Sequence, residues 1–157
     1  ALREAIETAF KYDRRVIAEE YIEGREMTVG IFEDAPLEAI EIKPKRRFFD
    51  YQAKYESGET EYIVPAPVSW EVMGLLKETA LKAHNLLGCS FFSRVDIILD
   101  KTNKPFILEV NTIPGFTATS LLPKAALAKG IAFPDLVARI SEAAFSASRS
   151  RVGVLVG

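Results

Sequence analysis

Apolar residues recur along the chain at two spacings, one typical of helices and one typical of strands. A helical spacing predicts a first helix over residues 1–11. A longer apolar stripe predicts a helix over 70–87, with Ser69 as its cap and Gly88 at its end. Two more helices are predicted over about 119–128 and 134–146.

The strand predictions come from apolar runs and from alternation of apolar and polar residues. They cover residues 16–22, 26–33, 37–43, 93–100 and 105–111. Between the third and fourth lies a long polar segment, 44–67, which is a candidate functional loop because ordinary connections are shorter. The order of elements predicts an α+β fold, an antiparallel β-sheet with helices packed on one face.

Composition narrows the class of protein. The chain has 157 residues, of which 48% are hydrophobic and 27% charged, so it is one ordinary domain with a core, or part of a larger one. The net charge of −2 gives no indication of nucleic-acid or membrane binding, and no apolar run reaches the ~20 residues of a membrane span. Cys89 is the single cysteine, which excludes an internal disulfide and fits a cytoplasmic location.

Charged residues interrupt the last two predicted strands. Alternation assigns one face of 93–100 to Arg94, Asp96 and Ile98. It assigns one face of 105–111 to Ile107, Glu109 and Asn111, and the other face to Phe106, Leu108 and Val110.

A turn at Thr102-Asn103 sets the register of these two strands. Asp96 is then expected opposite Glu109, and Arg94 opposite Asn111. Carboxylates that close repel each other unless a cation lies between them, and a set of Asp, Glu and Asn oxygens suits Mg²⁺. Arg94 fits the same place if phosphoryl oxygens also bind there. The alternative, a solvent-facing sheet surface with an Arg–carboxylate pair, is equally compatible with the pattern.

Several motifs resemble those of one enzyme family. "RVDIILDKTNKPFILEVNTIPGFTATSLLPKAA" (94–126), "FFDYQAKYESGETEYIVPAP" (48–67) and "AEEYIEGREMTVGIF" (18–32) resemble, in the same order, motifs of the D-alanine–D-alanine ligases of the ATP-grasp superfamily. The likeness runs over about residues 1–145, which the resemblance assigns to an incomplete C-terminal catalytic region. Residues 146–157 are expected to be a linker and a strand-like tail.

The resemblance implies roles for the carboxylates and the arginine. Asp96, Glu109 and Asn111 match the ligands of two Mg²⁺ ions, with Mn²⁺ as an alternative metal and Glu109 as the bridging ligand. Arg94 matches the arginine that steadies the transferring phosphoryl group.

It also implies roles for the loops beside them. Gly115 matches an oxyanion-hole glycine, and Ser120 and Leu121 match the pair that holds the carboxylate of the acceptor D-alanine. From pattern alone, Ser120 is equally well explained as a helix cap. Tyr55 matches a loop tyrosine that helps close the site.

The nucleotide side of the site is implied by the same resemblance. The residues that match the ATP-binding positions are Glu19, Glu20, Tyr21, Ile22, Glu26 and Lys54. Backbone groups of 20–22 would hydrogen-bond to adenine, Glu26 would bind the ribose hydroxyls, and Lys54 would bind the phosphates. Ser93 departs from the family, which commonly has glycine there, and His84 is assigned no chemistry.

The implied activity is ATP-dependent ligation of two D-alanines through an acyl phosphate, for peptidoglycan precursor synthesis. The implied partners are ATP, D-alanine, the missing N-terminal portion of the enzyme, and a second copy, since the family is commonly dimeric. The tail "RVGVLVG" resembles the opening strand of that missing portion, as in a circularly permuted, fused or mis-segmented chain. Two alternatives remain: another ATP-grasp carboxylate–amine ligase, or a non-catalytic nucleotide-binding fragment.

Overall fold

The secondary structure follows most of the sequence pattern. The computed structural model describes residues 2–44 and 60–152. Its elements are α1 (Leu2–Ala9), β1 (Gly24–Phe32), β2 (Ala35–Pro44), β3 (Thr60–Ile63), α2 (Trp70–Leu86), β4 (Phe92–Asp100), β5 (Pro105–Asn111), α3 (Leu121–Ala128) and α4 (Phe133–Val152).

The strands form one antiparallel sheet in the order β3-β2-β1-β4-β5. β1 lies in the middle because it pairs with β2 on one side and with β4 on the other. The two hairpins β1–β2 and β4–β5 therefore lie side by side. Residues of β1 and β4 that lie directly opposite each other share one face of the sheet.

The two faces of the sheet are covered by different helices. Met27, Val29, Val95 and Ile97 point to the face that packs against Leu76 and its neighbours in α2, which we call the α2 face. The opposite face, the α3 face, has an apolar end. The residues packed there are Phe32, Ile40, Leu122, Ala125 and Leu136.

The predicted fold class is thus confirmed, an α+β fold with an antiparallel sheet, but its helices pack on both faces rather than one. Phe32 and Ile40 on the α3 face are buried only because α3 and the start of α4 cover them.

The amide of Val72 donates to Ser69 Oγ at 3.4 Å, so the predicted cap of α2 is also present. Gly88, at a φ of 65°, follows its end, as predicted.

Three element predictions need correction. Residues 16–22 form no strand, because no described strand pairs with them. β3 lies inside the segment predicted as a loop, and it pairs with β2. α4 continues to Val152 and so crosses the predicted start of a linker at residue 146.

Among the described residues, no helix combines the length and apolar character that crossing a bilayer requires.

Candidate active site

The ends of β4 and β5 bring the predicted polar residues together. Asp96 lies opposite Glu109, and Arg94 lies opposite Asn111, as the predicted register requires. The strands that carry them are joined by the tight connection over residues 101–104, in which Asn103 has a φ of 64°. The predicted pairing of these four residues is confirmed.

The register changes just beyond Asp96. Ile97 pairs with Ile107 instead of Leu108, so β5 carries one extra residue, a β-bulge. Ile107 therefore shares the α2 face with Ile97, and Phe106 shares the face of Ile98. The predicted faces of Ile107 and Phe106 are wrong, because a bulge reverses the alternation of every residue on its far side.

Arg94 and Asp96 form a two-point ion pair at the centre of this group. Arg94 Nε donates to Asp96 Oδ1 at 2.9 Å, and a terminal nitrogen donates to Oδ2 at 2.7 Å. Burial alone would lower the pKa of Arg94, but the hydrogen bonds to Asp96 and the charges of Asp96, Glu109 and Glu26 outweigh it and raise that pKa. The guanidinium therefore stays charged and sits among carboxylates.

Glu109 is more open to solvent than Asp96. Its side chain is 57% exposed, whereas that of Asp96 is 11% exposed, and one of its oxygens lies 3.9 Å from the terminal nitrogen of Arg94. Asn111 closes the strand, and its side-chain oxygen accepts from the amide of Ile113 at 3.0 Å. The group thus has a buried end at Asp96 and an accessible end at Glu109.

The donor set fits a hard divalent cation. In the described ranges 2–44 and 60–152, no cluster of three or more His, Cys, Asp or Glu residues that could hold a metal is found. The group on β4 and β5 instead offers two carboxylates, Asp96 and Glu109, and the amide oxygen of Asn111. Mg²⁺ accepts such oxygen ligands together with water and phosphate. A carboxylate has about four acceptor positions, so Asp96 can take a cation besides its present donors.

Thr28 is a member of this group that sequence reasoning missed. It lies on β1 opposite Asp96, and its hydroxyl donates to Asp96 Oδ1 at 2.6 Å. The signal that could have found it is the series Glu26, Thr28 and Gly30, which places polar or small residues on one face of β1. The neighbours of Thr28 on the other face, Met27 and Val29, are fully buried.

The loop before α3 places Gly115 beside Ser120. A methyl group at Gly115 would lie 3.3 Å from Ser120 Oγ. Ser120 occupies the N-cap position of α3, yet its hydroxyl makes no capping hydrogen bond and instead accepts from the amide of Thr117 at 3.0 Å. Leu121 is half-buried and packs against the apolar end of the α3 face.

A close contact joins this loop region to the sheet. Gly30 lies opposite Arg94 in the β1–β4 pairing. A methyl group there would lie 2.7 Å from Leu122 Cδ1 and 3.1 Å from Leu37 Cδ1. The first turn of α3 thus rests on β1 at the position next to Arg94.

The structure brings only some of the predicted nucleotide-binding residues to the face of the sheet that carries Arg94. Glu26 is on β1, on the same face as Thr28, and close enough to Arg94 to contribute to its raised pKa. The predicted adenine residues precede β1 outside any strand: Glu19, Glu20, Tyr21 and Ile22. Tyr21 is 88% exposed, so the described residues build no enclosed adenine pocket around it. Lys54 and Tyr55 lie outside the described residues.

A second polar group lies on the α2 face. His84 Nδ1 is 2.8 Å from Ser93 Oγ, and its Nε2 is 3.2 Å from Asp34 Oδ1. His84 and Ser93 are completely buried, so a substrate has no access to either side chain. Although serine, histidine and aspartate are the residues of a hydrolase triad, this group ties α2 to β4 and to the β1–β2 turn.

Comparison with known proteins identifies what the chain is similar to. Residues 1–142 match the family described as "D-ala D-ala ligase C-terminus". The D-alanine–D-alanine ligase of Methylacidiphilum infernorum is 46% identical over 144 residues, which are 92% of this chain and 48% of that protein. The chain spans about half the length of the curated relatives it matches.

Solved structures give the same result. The Bacillus anthracis D-alanine–D-alanine ligase complexed with ATP superimposes with a TM-score of 0.79 at 32% identity, covering 96% of this chain and 48% of that one. The VanG D-Ala:D-Ser ligase of Enterococcus faecalis superimposes with a TM-score of 0.74 at 36% identity, covering 86% and 40%. Both structures confirm the ATP-grasp arrangement of the sheet and helices.

Proposed function

Because this chain belongs to the family of D-alanine–D-alanine ligase C-terminal regions, we propose that it carries the phosphoryl-transfer half of such an enzyme. The observation that carries the proposal is the Arg94, Asp96, Glu109 and Asn111 group on the β4–β5 pair. The proposed reaction joins two D-alanines with ATP as co-substrate. It serves synthesis of a peptidoglycan precursor, in the cytoplasm where ATP is available.

The proposed chemistry has two steps. A carboxylate oxygen of the first D-alanine attacks the γ-phosphorus of ATP, the bond from that phosphorus to the β-phosphate oxygen breaks, and ADP leaves; the product is an acyl phosphate. The amine nitrogen of the second D-alanine attacks the acyl carbon, loses a proton, and phosphate leaves. Negative charge develops in both steps, so cationic groups and N–H donors fixed in advance lower the barriers.

Each residue of the group has one task in this scheme. Asp96, Glu109 and Asn111 would hold Mg²⁺ or Mn²⁺, which supplies positive charge to the phosphate oxygens when bound. Arg94 supplies the guanidinium that hydrogen-bonds the transferring phosphoryl group.

The acceptor side is proposed at the start of α3. The amide of Gly115 would donate to the developing oxyanion, and Ser120 with the amide of Leu121 would bind the acceptor carboxylate. A helix N-terminus favours such an anion because its first N–H groups have no partners within the helix. The Ser120 hydroxyl does not cap α3 and contacts Thr117 in the preceding loop, and this position beside Gly115 supports the role.

The nucleotide side is proposed to include Glu26 at the ribose, Lys54 at the phosphates, Tyr55 in the closing loop, and the segment 19–22 at adenine. Glu26 lies on the same face of β1 as Thr28, the face that carries the Arg94 group, and this supports the first assignment. The other half of the pocket is proposed to come from the missing N-terminal portion, since the relatives are about twice as long as their match to this chain. Homodimer formation is proposed for that complete enzyme.

A second candidate differs only in the acceptor. The D-Ala:D-Ser ligase from Enterococcus faecalis is 36% identical, as is a Bacillus anthracis D-alanine–D-alanine ligase, so similarity alone does not separate the two acceptors. D-serine is therefore the competitor to include in the test.

The test joins this chain to the N-terminal half of the Methylacidiphilum infernorum ligase, which we call the joined ligase. Phosphate release from Mg-ATP is measured with D-alanine, with D-serine added, and with neither amino acid, and the dipeptide is identified by mass. We expect release that depends on D-alanine and is lost in Glu109→Gln. Glu142→Gln, which removes the same charge from an exposed position of α4, is the matched control. Release independent of D-alanine, or full activity of Glu109→Gln, would overturn the proposal.

A further inference from the structure

Thr28 is a buried threonine whose hydroxyl needs an explanation. It is 1% exposed and lies in the middle of β1, where valine would have the same shape and strand preference. Its hydroxyl has two acceptors in reach, Asp96 Oδ1 at 2.6 Å and the carbonyl of Val95 at 3.3 Å. The shorter distance and the charge of the acceptor assign the proton to Asp96.

Asp96 has two supports of different kinds. Arg94 contacts both of its oxygens, while Thr28 contacts only Oδ1. The same terminal nitrogen of Arg94 lies 2.7 Å from Asp96 Oδ2 and 3.9 Å from Glu109. Arg94 is therefore a shared donor, and a phosphoryl group that binds it competes with Asp96. The Thr28 hydroxyl has no such second task.

We propose that Thr28 is a positioning residue that holds Asp96 Oδ1 and thereby presents the rest of the Asp96 carboxylate to a divalent cation shared with Glu109. It keeps Asp96 in place when Arg94 turns to substrate phosphate. This inference rests on the proposed function, because it assumes that the Asp96 and Glu109 pair binds the cation. Mutation of a residue that orients a metal ligand through a hydrogen bond typically lowers metal affinity about 10–100-fold.

The experiment measures Mn²⁺ binding to the 157-residue chain by electron paramagnetic resonance, with and without ATP. Thr28→Val keeps the shape of the side chain and removes the hydroxyl, and we expect it to weaken Mn²⁺ binding about 10–100-fold. Thr28→Ser keeps the hydroxyl and is expected to bind within about threefold of the parent chain, because only a methyl group is lost. Thr79→Val on α2 is the matched control for loss of a threonine hydroxyl, with no expected change.

Urea unfolding of the same variants separates positioning from a purely structural role. A structural role alone would lower the stability of Thr28→Val and leave Mn²⁺ affinity unchanged once the protein is folded, which overturns the inference. In the Asp96→Asn background, Thr28→Val should have no further effect on Mn²⁺ binding. If Thr28→Val does not fold, a folded Thr28→Ser that binds Mn²⁺ more than about tenfold weaker also overturns it.

The outcome also separates this inference from the proposed function. A parent chain that binds no Mn²⁺ contradicts the metal site itself. A parent chain that binds Mn²⁺, with Thr28→Val binding equally well, contradicts only the role of Thr28.

Discussion

The two faces of the sheet use polar residues in opposite ways. On the α2 face, His84 is enclosed by Ser93 and Asp34, and Arg25 pairs with Glu41 through two hydrogen bonds of 2.8 Å. On the α3 face, two carboxylates, Asp96 and Glu109, share the guanidinium of Arg94. One face satisfies its polar groups internally, and the other keeps a surplus of negative charge.

This difference separates polar groups that stabilise from polar groups that bind. On the α2 face, His84 and Ser93 are completely buried and hydrogen-bonded to each other, so a ligand cannot reach them. A carboxylate pair that shares one cation still gains from a second one. Residue type alone does not make this distinction, since the α2 face also contains serine, histidine and aspartate.

Asp96→Asn should have the largest effect. It removes one carboxylate charge from the α3 face and leaves Arg94 with a weaker partner. In the joined ligase we expect phosphate release to fall by more than about 100-fold, because residues that only support a metal ligand already cost about 10–100-fold. We also expect the free energy of unfolding to fall by about 1–3 kcal/mol, since a charged hydrogen-bond pair is lost. Steady-state rates and urea unfolding check the two numbers, and a near-normal rate contradicts the assignment of Asp96.

Ser93→Ala tests the α2 face, where the polar groups are expected to stabilise the fold and not to bind a ligand. It leaves His84 without one of its two partners, so we expect the free energy of unfolding to fall by about 1–3 kcal/mol. Because the group is closed, Mn²⁺ binding by the folded protein should stay within about twofold of the parent, as expected for sites with no shared partner. Loss of metal affinity without loss of stability would show that the two faces are coupled.

The smallest effect is expected for the pH dependence of the Arg25–Glu41 pair. The hydrogen bonds from Arg25 lower the pKa of Glu41 below its ordinary value of 4.5, against the effect of burial. Since the folded-state pKa is the lower one, the pair stabilises the fold fully above pH 4.5 and loses this contribution as the pH falls through the folded-state value. Urea unfolding between pH 7 and about pH 3 should show less acid loss of stability in Glu41→Gln than in the parent chain. Equal acid loss in both proteins contradicts the prediction.

The hairpin that carries the site could be predicted from sequence for a physical reason. A short polar turn and alternating side chains fix the register of Arg94, Asp96, Glu109 and Asn111. The bulge could not be predicted, because Leu108 follows the apolar residues Phe106 and Ile107, and a run of apolar residues does not show which of them is the extra one.

Other features lay beyond the pattern because they depend on distant partners. Residues 16–22 have the residue types of a strand, but a strand forms only beside another strand, and none of the described ones pairs with them. Thr28 gave no signal alone, since threonine is common in strands for its shape. Its role follows only from the pairing of β1 with β4, which places it opposite Asp96.

The absence of a side chain at Gly30 allows α3 to pack closely against β1. Leu122 occupies the space where a methyl group would be, so α3 approaches β1 at the position opposite Arg94. Gly30→Ala would force Leu122, which is 1% exposed, to move or to carry α3 outward. The distance between the first turn of α3 and the strands that carry Arg94 thus depends on glycine at this position of β1. A larger residue at position 30 would move two parts of the proposed site apart.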